Sequence, residues 1–320
     1  MAILSIRHST TYRYRKPVRF GEHRMMFRPL ESFDQRLITA DLEISPAPTQ
    51  LHYAHDVFGN CVGVARFAEP ASELRFESRV ELEHSPAPPF HGLGERGDLS
   101  EVTLPLVYAP DELPDLARSM ERQYSDSDGA VELWARRFLR SRGSTCIKVL
   151  LGEMTQAIAS DLRYGRRLSG PPQSPEQTLG SCTGSCRDFA VLMMEAVRSL
   201  GLAAQFVSGY IHCPPKHGGG LSTVGGGHTH AWLRVFLPVC GWVEFDPTNG
   251  IIGNQDLVRV AIARDPGQAV PLWGSFSGDA DAFLDMVVEV DVASNQYVHA
   301  PVNSLPIPQP DLLQGVALVG

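Results

Sequence analysis

The sequence predicts an α+β protein in two parts, an antiparallel β-sandwich over residues 1–84 and a mixed helix-and-strand core over residues 105–295. Three observations predict it. Period-two alternation runs through the first eighty or so residues; a stretch rich in Pro and Gly, Ser85 to Asp98, then interrupts every pattern; and beyond it the apolar spacing becomes helical until strands resume at Ala203. At 320 residues, 43% hydrophobic and 20% charged, the chain can bury two cores and is neither disordered nor coiled coil. Its 28 Lys and Arg against 36 Asp and Glu give a net charge of -8, and no long basic run is present, which excludes a phosphate-tracking nucleic-acid binder.

In the first part, Leu74, Phe76, Ser78, Val80 and Leu82 alternate with Arg75, Glu77, Arg79, Glu81 and Glu83, a strand apolar or small on one side and charged on the other. Leu4, Ile6 and His8 alternate likewise, and 37–44 and 61–67 are further strands, with Phe58-Gly59-Asn60 as a turn. Residues 85–104 are the expected linker. Helices are expected at 114–124, at 129–140 with Trp134 and Phe138 four apart, and at 146–162, and residues 296–320 read as a tail. Asp126-Ser-Asp-Gly lacks the ligand spacing of a calcium loop and reads as a helix-capping turn. Six scattered cysteines, at 61, 146, 182, 186, 213 and 240, lack the dense spacing of a disulfide scaffold. With no leader-like N-terminus and no apolar run long enough to span a bilayer, the expectation is free thiols, a cytoplasmic location and no membrane partner.

Chemistry concentrates in Gly184-Ser-Cys-Arg-Asp-Phe and the helix that follows it. Ser185 and Asp188 have capping-box spacing, apolar residues recur at 189, 192, 193, 196, 197 and 200, and Gly201 is a stop signal. Cys186 is therefore the first residue of an amphipathic helix, on its buried face, among backbone N–H groups without intrahelical partners. The positive end of a helix favours thiolate, the nucleophilic form. Downstream, 229–250 reads as two strands joined by a turn near Pro238 to Gly241. A hairpin centred on residue 238 sets His230 opposite Asp246, so that the carboxylate orients an imidazole whose other nitrogen faces outward. Cys186 as nucleophile, His230 as proton carrier and Asp246 as orienting carboxylate form the set that nucleophilic acyl transfer needs.

Other readings of the same residues remain. Cys182, Cys186, His228 and His230 are all possible zinc ligands, although Cys-x3-Cys is a loose spacing, and no metal or other cofactor is expected. The glycine-rich run 218–227 is either a flap over the cleft or a tolerated insertion. Trp232, Trp242 and Trp273 are either cleft walls or core, and Tyr164 is a core or rim residue that could also offer its hydroxyl to an oxyanion.

These motifs resemble the transglutaminase-like superfamily. The resemblance rests on Gly184 to Phe189, Arg198 to Gly201, Ser208 to Tyr210, His230 to Trp232 and Gly241 to Asn249. It extends to residues 1–82, with His8-Ser-Thr-Thr-Tyr-Arg-Tyr, Arg28-Pro29 and Asp56 to Asn60, which look like the N-terminal β-domain of bacterial members, and to Val260 to Pro266 with Pro271 to Gly274. The resemblance implies a papain-like core with Cys186, His230 and Asp246 as the catalytic three. It also implies hydrolysis of a peptide, protein or small amide through a thioester, with transfer to an amine, or peptide binding without catalysis, as alternatives. Ser185 and Arg187 depart from the residues such proteins often carry beside the nucleophile.

Overall fold

The computed structural model describes residues 2–86, 88–90, 102–167, 170–213, 224–238, 240–279 and 281–295. Most of the expected linker, the tail 296–320 and the first part of the glycine-rich run lie outside them.

The first sheet is built on β1 (Ala2–Met25), a strand of 24 residues whose register shifts at two places. Such bulges bend a strand and raise its twist. Along one edge β1 pairs with β5 (Ala71–His84) and then β4 (Cys61–Arg66), while β2 (Gln35–Ser45) joins β5 and β3 (Gln50–His55) joins β4, giving the order β2-β5-β1-β4-β3. The expected sandwich is thus one curled antiparallel sheet whose two halves share a strand. The alternation in β5 behaves as read, with Leu74, Phe76, Val80 and Leu82 buried. Glu77, on the charged side, is buried too, held by Arg7 at 2.9 Å and by Arg75 and Arg79.

The second edge of β1 is filled from the far end of the chain. β15 (Leu272–Ser277) pairs with Arg19 to Met25, and β16 (Phe283–Asn295) pairs with Ile3 to Tyr14, all antiparallel. Residues 272–295, read from the sequence as part of the second domain, therefore complete the first sheet. Their period-two pattern marks them as strands, but alternation does not say which edge they join.

Between the two, β6 (Thr103–Leu104) pairs with β7 (Thr145–Cys146), so the end of the expected linker already belongs to the second domain. α2 (Ala130–Arg136) and α3 (Ile147–Asp161) lie within the predicted helical segments, and α1 (Leu113–Met120) starts one residue before its predicted segment and ends four short of it. Asp126 caps α2 as expected, accepting from Val131 N and Glu132 N at 3.0 and 3.1 Å, and the Trp134 and Phe138 rings meet edge-on at 4.9 Å. β8 (Arg163–Tyr164), α4 (Pro175–Ser181) and β9 (Thr183–Gly184) lead into α5 (Cys186–Ser199). α4 is an addition to the expected elements; its signal was Ser174-Pro-Glu-Gln177, a capping box with Pro in the first turn.

β10 (Ala204–Ile211), β11 (His230–Leu237), β12 (Gly241–Asp246), β13 (Ile251–Ile252) and β14 (Leu257–Ala263) form an antiparallel sheet ordered β13-β12-β11-β10-β14. One face, through Phe206, Leu233 and Phe245, packs on Phe189, Leu192 and Met193 of α5 and Leu150 and Met154 of α3. The other face, through Tyr210, Val258 and Val260, packs on Leu4, Ile6, Val80 and Leu82 of the first sheet. Three layers result: helices, central sheet, curled sheet. The outer edge of β14 is covered by side-chain amides that mimic a neighbouring strand. Gln35 donates to Arg259 O at 2.9 Å and accepts from Arg259 N at 3.1 Å, and Asn60 does the same with Ile262 at 2.7 and 2.8 Å. Among the described residues no helix is long and apolar enough to cross a membrane.

Candidate active site

The chain approaches α5 through the parallel pairing of β8 with β9, which sets Tyr164 beside Gly184. Gly184 has no room for a side chain, since a Cβ there would lie 2.8 Å from the Phe189 ring and 2.9 Å from Asp188 Cβ. The first turn is then locked around one buried carboxylate. Ser185 donates to Asp188 Oδ2 from its backbone N at 2.7 Å and its hydroxyl at 2.8 Å, while Oδ1 accepts from Arg167 at 2.6 Å and Gln173 N at 2.7 Å. The capping box expected from spacing is present, and Cys186, 8% exposed, sits immediately behind it.

His230 opens β11 and Asp246 ends β12. The hairpin pairs Leu233 with Phe245 and Leu237 with Gly241, so its centre is residue 239 and not 238. Continued, this register puts Asp246 across from Trp232, making it a diagonal neighbour of His230 instead of the expected direct opposite. A shift of two keeps both side chains on one face, so the contact survives, with His230 Nε2 donating to Asp246 Oδ2 at 2.8 Å. Two further donors hold the carboxylate, Asn249 Nδ2 at 2.7 Å on Oδ2 and Thr248 N at 2.9 Å on Oδ1. The imidazole stacks on the indole of Trp232, with centroids 5.9 Å apart and planes 26° from parallel.

The other ring nitrogen, Nδ1, is buried with no hydrogen-bond partner. Cys186 and His230 line the same cleft, and the thiol is near enough to act on the ring. Burial pushes the imidazole down, but the Asp246 carboxylate, with Cys186 adding to it, outweighs burial and raises the ring well above its ordinary value. Burial pushes Asp246 up, and His230 outweighs it to leave the carboxyl below its ordinary value.

The described end of the glycine-rich run, Val224 to Gly227, folds over this ring. Gly225, at φ +102°, packs so closely that a Cβ would lie 2.5 Å from Nδ1. Asn249 holds the loop in place, its Oδ1 accepting from Val224 N at 2.7 Å and its Nδ2 donating to Val224 O at 3.0 Å while also serving Asp246. Asn249 stood within the Asp246-Pro-Thr-Asn segment, but its part in both loop and carboxylate is visible only in three dimensions.

The cleft, of about 560 Å³, lies between the layers. Its walls include Tyr164 and Arg187 near the nucleophile, His228 beside β11, and Tyr12 and Met286 from the curled sheet. Tyr164 is half-buried, and burial followed by the neighbouring Cys186 pushes its hydroxyl up to about 12. The three tryptophans do not line this cleft. Trp232 is fully buried and donates to Glu244 at 3.0 Å, Trp242 packs under Arg234 with 4.5 Å from guanidinium to ring, and Trp273 is 54% exposed on another groove. The four residues of the zinc alternative do not gather either. Cys182 is exposed and turned to Leu179 O at 3.4 Å, and His228 is taken by Arg166 and by Val288 O. Among the described residues no three His, Cys, Asp or Glu side chains converge as metal ligands.

Residues 4–83 match the bacterial transglutaminase-like N-terminal region, and residues 150–247 match the transglutaminase-like superfamily core. The chain belongs to the transglutaminase-like superfamily. Its relatives include uncharacterized protein Rv2569c of Mycobacterium tuberculosis, 29% identical over 92% of this chain and 94% of that protein. Uncharacterized protein ML0607 of Mycobacterium leprae is 26% identical over 88% and 96%. The fold is shared with a Cytophaga hutchinsonii crystal structure described as a "Putative Cysteine Protease", 18% identical with a TM-score of 0.66 over 94% of this chain and 93% of that one. This transglutaminase-like chain therefore joins both family regions in one three-layered α+β unit.

Proposed function

We propose that this transglutaminase-like protein is a cysteine-dependent acyl-transfer enzyme that hydrolyses an amide or peptide bond. The observation that carries the reading is the buried Asp246–His230 pair with Cys186 acting on the same ring: Nε2 is engaged by the carboxylate, and Nδ1 is left for the thiol. In the proposed cycle the thiol proton passes to His230 Nδ1 as Sγ bonds to the substrate carbonyl carbon. Asp246 holds the ring in the tautomer and orientation this needs. The C–N bond then breaks, the leaving amine takes the proton from Nδ1, and an acyl thioester remains. Water adds to the thioester, gives a proton back to His230, and the C–S bond breaks to restore the thiol. The backbone N–H groups of the first turn of α5 would face the developing oxyanion, as helix starts do for negative charge.

Two measurements test this. A peptide and amide library, with ammonia release followed separately from peptide cleavage, should show turnover that Cys186→Ala abolishes. Iodoacetamide should label Cys186 of the wild type faster than the exposed Cys182, and this excess should vanish in His230→Ala. Labelling no faster than that of Cys182, together with no turnover, would leave peptide binding without catalysis as the function.

A further inference from the structure

Two guanidiniums beside the nucleophile have no use in the steps above. Of the charged groups lining the cleft, Arg167 is neutralised by the buried Asp188 at 2.6 Å, and Asp265 is folded back onto Gly267 N at 2.9 Å. Arg187, the residue after Cys186, is held by two neutral carbonyls, Gly170 O and Arg167 O, each at 3.0 Å. Arg166, two residues from Tyr164, donates to His228 Nε2, and His228 is in turn fixed by donating from Nδ1 to Val288 O of β16 at 3.1 Å. Neither arginine has a carboxylate partner among the described residues. Both line the same cleft as Tyr164 and Cys186, and both act on the half-buried Tyr164 hydroxyl, as does Cys186.

Holding an arginine by neutral acceptors orients it without discharging it, and it keeps most of its five donors for another ligand. A chain of net charge -8 that concentrates two such cations at its reactive thiol has a local field opposite to its overall one.

We propose that Arg166 and Arg187 form a carboxylate subsite next to Cys186, so that the preferred acyl donors carry an anionic group close to the scissile amide. The inference rests on the acyl-transfer reading for the word donor, but the subsite itself does not need turnover. A carboxylate would accept from the two rigid forks and add charge-assisted hydrogen bonds that a carboxamide of the same shape lacks. The anion is either the free C-terminal carboxylate of the substrate or an acidic side chain.

Alkylation of Cys186 by iodoacetate and by iodoacetamide tests the subsite without any substrate, because the two reagents differ chiefly in charge. With exposed Cys182 of the same molecule as reference, the iodoacetate-to-iodoacetamide rate ratio at Cys186 should be about tenfold higher. Arg166→Gln and Arg187→Gln should each lower that ratio, which cancels any common change in thiolate content, while Arg187→Lys, which keeps the charge, should retain part of it. Salt near 1 M should erase it. A wild-type ratio equal to that of Cys182, or one that neither substitution changes, overturns the proposal. Matched amides then separate the two readings. Turnover without preference for a carboxylate over a carboxamide sinks the subsite alone, and an iodoacetate preference without turnover of any amide sinks the acyl-transfer reading alone. Where turnover is present, amides with a free C-terminus and amidated ones with a Glu or Asp side chain identify the source of the anion.

Discussion

Strand β12 carries two buried carboxylates two residues apart, Glu244 and Asp246, and their partners set them apart. Glu244 accepts from Trp232 and at 2.7 Å from Arg259, but Arg259 is shared with Asp34, which also takes Asn254. Burial therefore wins, and the Glu244 carboxyl lies above its ordinary value. Asp246 has an imidazole to itself and two further donors, and lies below its ordinary value. An arginine is a permanent cation with no acceptor, so the Glu244 network can only bind layers together. A histidine can gain and lose a proton, and the second nitrogen of His230 is not taken by the carboxylate. In the proposed mechanism, two like residues on one strand thus become structural or chemical according to whether the partner can release its proton.

Breaking the chemical member should have the largest effect. Asp246→Asn should lower turnover by roughly 10³- to 10⁴-fold in steady-state kinetics while the fold, followed by circular dichroism, is retained. Glu244→Gln should do the converse. It leaves Arg259 less compensated and should cost about 3 kcal/mol in denaturant unfolding, with kcat of the folded fraction within a few-fold of wild type.

Acidity sharpens the contrast between histidines. His8, which meets Tyr210 and Thr10, and His84 are both pushed down to about 4, by burial first. A lowered folded value means the unfolded chain binds more protons, so these two withdraw stability as pH falls from about 6.5 to 4, on the order of 3 kcal/mol each. His230, raised, has the opposite sign: its contribution is complete below about 6.5 and is lost as pH climbs through its raised value. Thermal melts should show His8→Gln flattening the acid limb and Asp246→Asn flattening the alkaline one.

The smallest effect is expected at the loop. Asn249→Ala removes one of three donors on Asp246 together with the clasp on Val224, and should cost about tenfold in kcat/KM. Gly225→Ala, forced against Nδ1 at a positive φ, should slow iodoacetamide labelling of Cys186 by displacing either loop or ring. Full activity in both variants would show that the loop is a bystander.

How much of this was legible in the sequence follows the range of each interaction. Local devices read well: the Ser185–Asp188 cap, the face of α5 that carries Cys186, the Asp126 turn and the alternation of β5 each depend on residues a few positions apart. The His230–Asp246 pair was legible as a pairing on one face but not in its register, since Val239 and Cys240 leave the turn geometry open to a shift of two. Long-range features were hidden. Nothing in the pattern of Val288, Val290 and Val292 names β1 as their neighbour, and nothing in Arg166 names His228. Buried polar groups such as Glu77 and Glu244 sit at positions that alternation alone would assign to solvent or to an apolar layer.

Because β1 lies between β5 and β16, Ala2–Met25 cannot complete its hydrogen bonding until Phe283–Asn295 has been made. An N-terminal fragment ending in the linker would expose one entire flank of β1 as an unpaired edge, a template for joining other chains. Pairings as distant in sequence as Ile3 with Asn295 also predict slow, late closure of that layer. Newly synthesised protein should therefore gain protease resistance in residues 2–84 only after release of residue 295, and chains stopped short of it should aggregate.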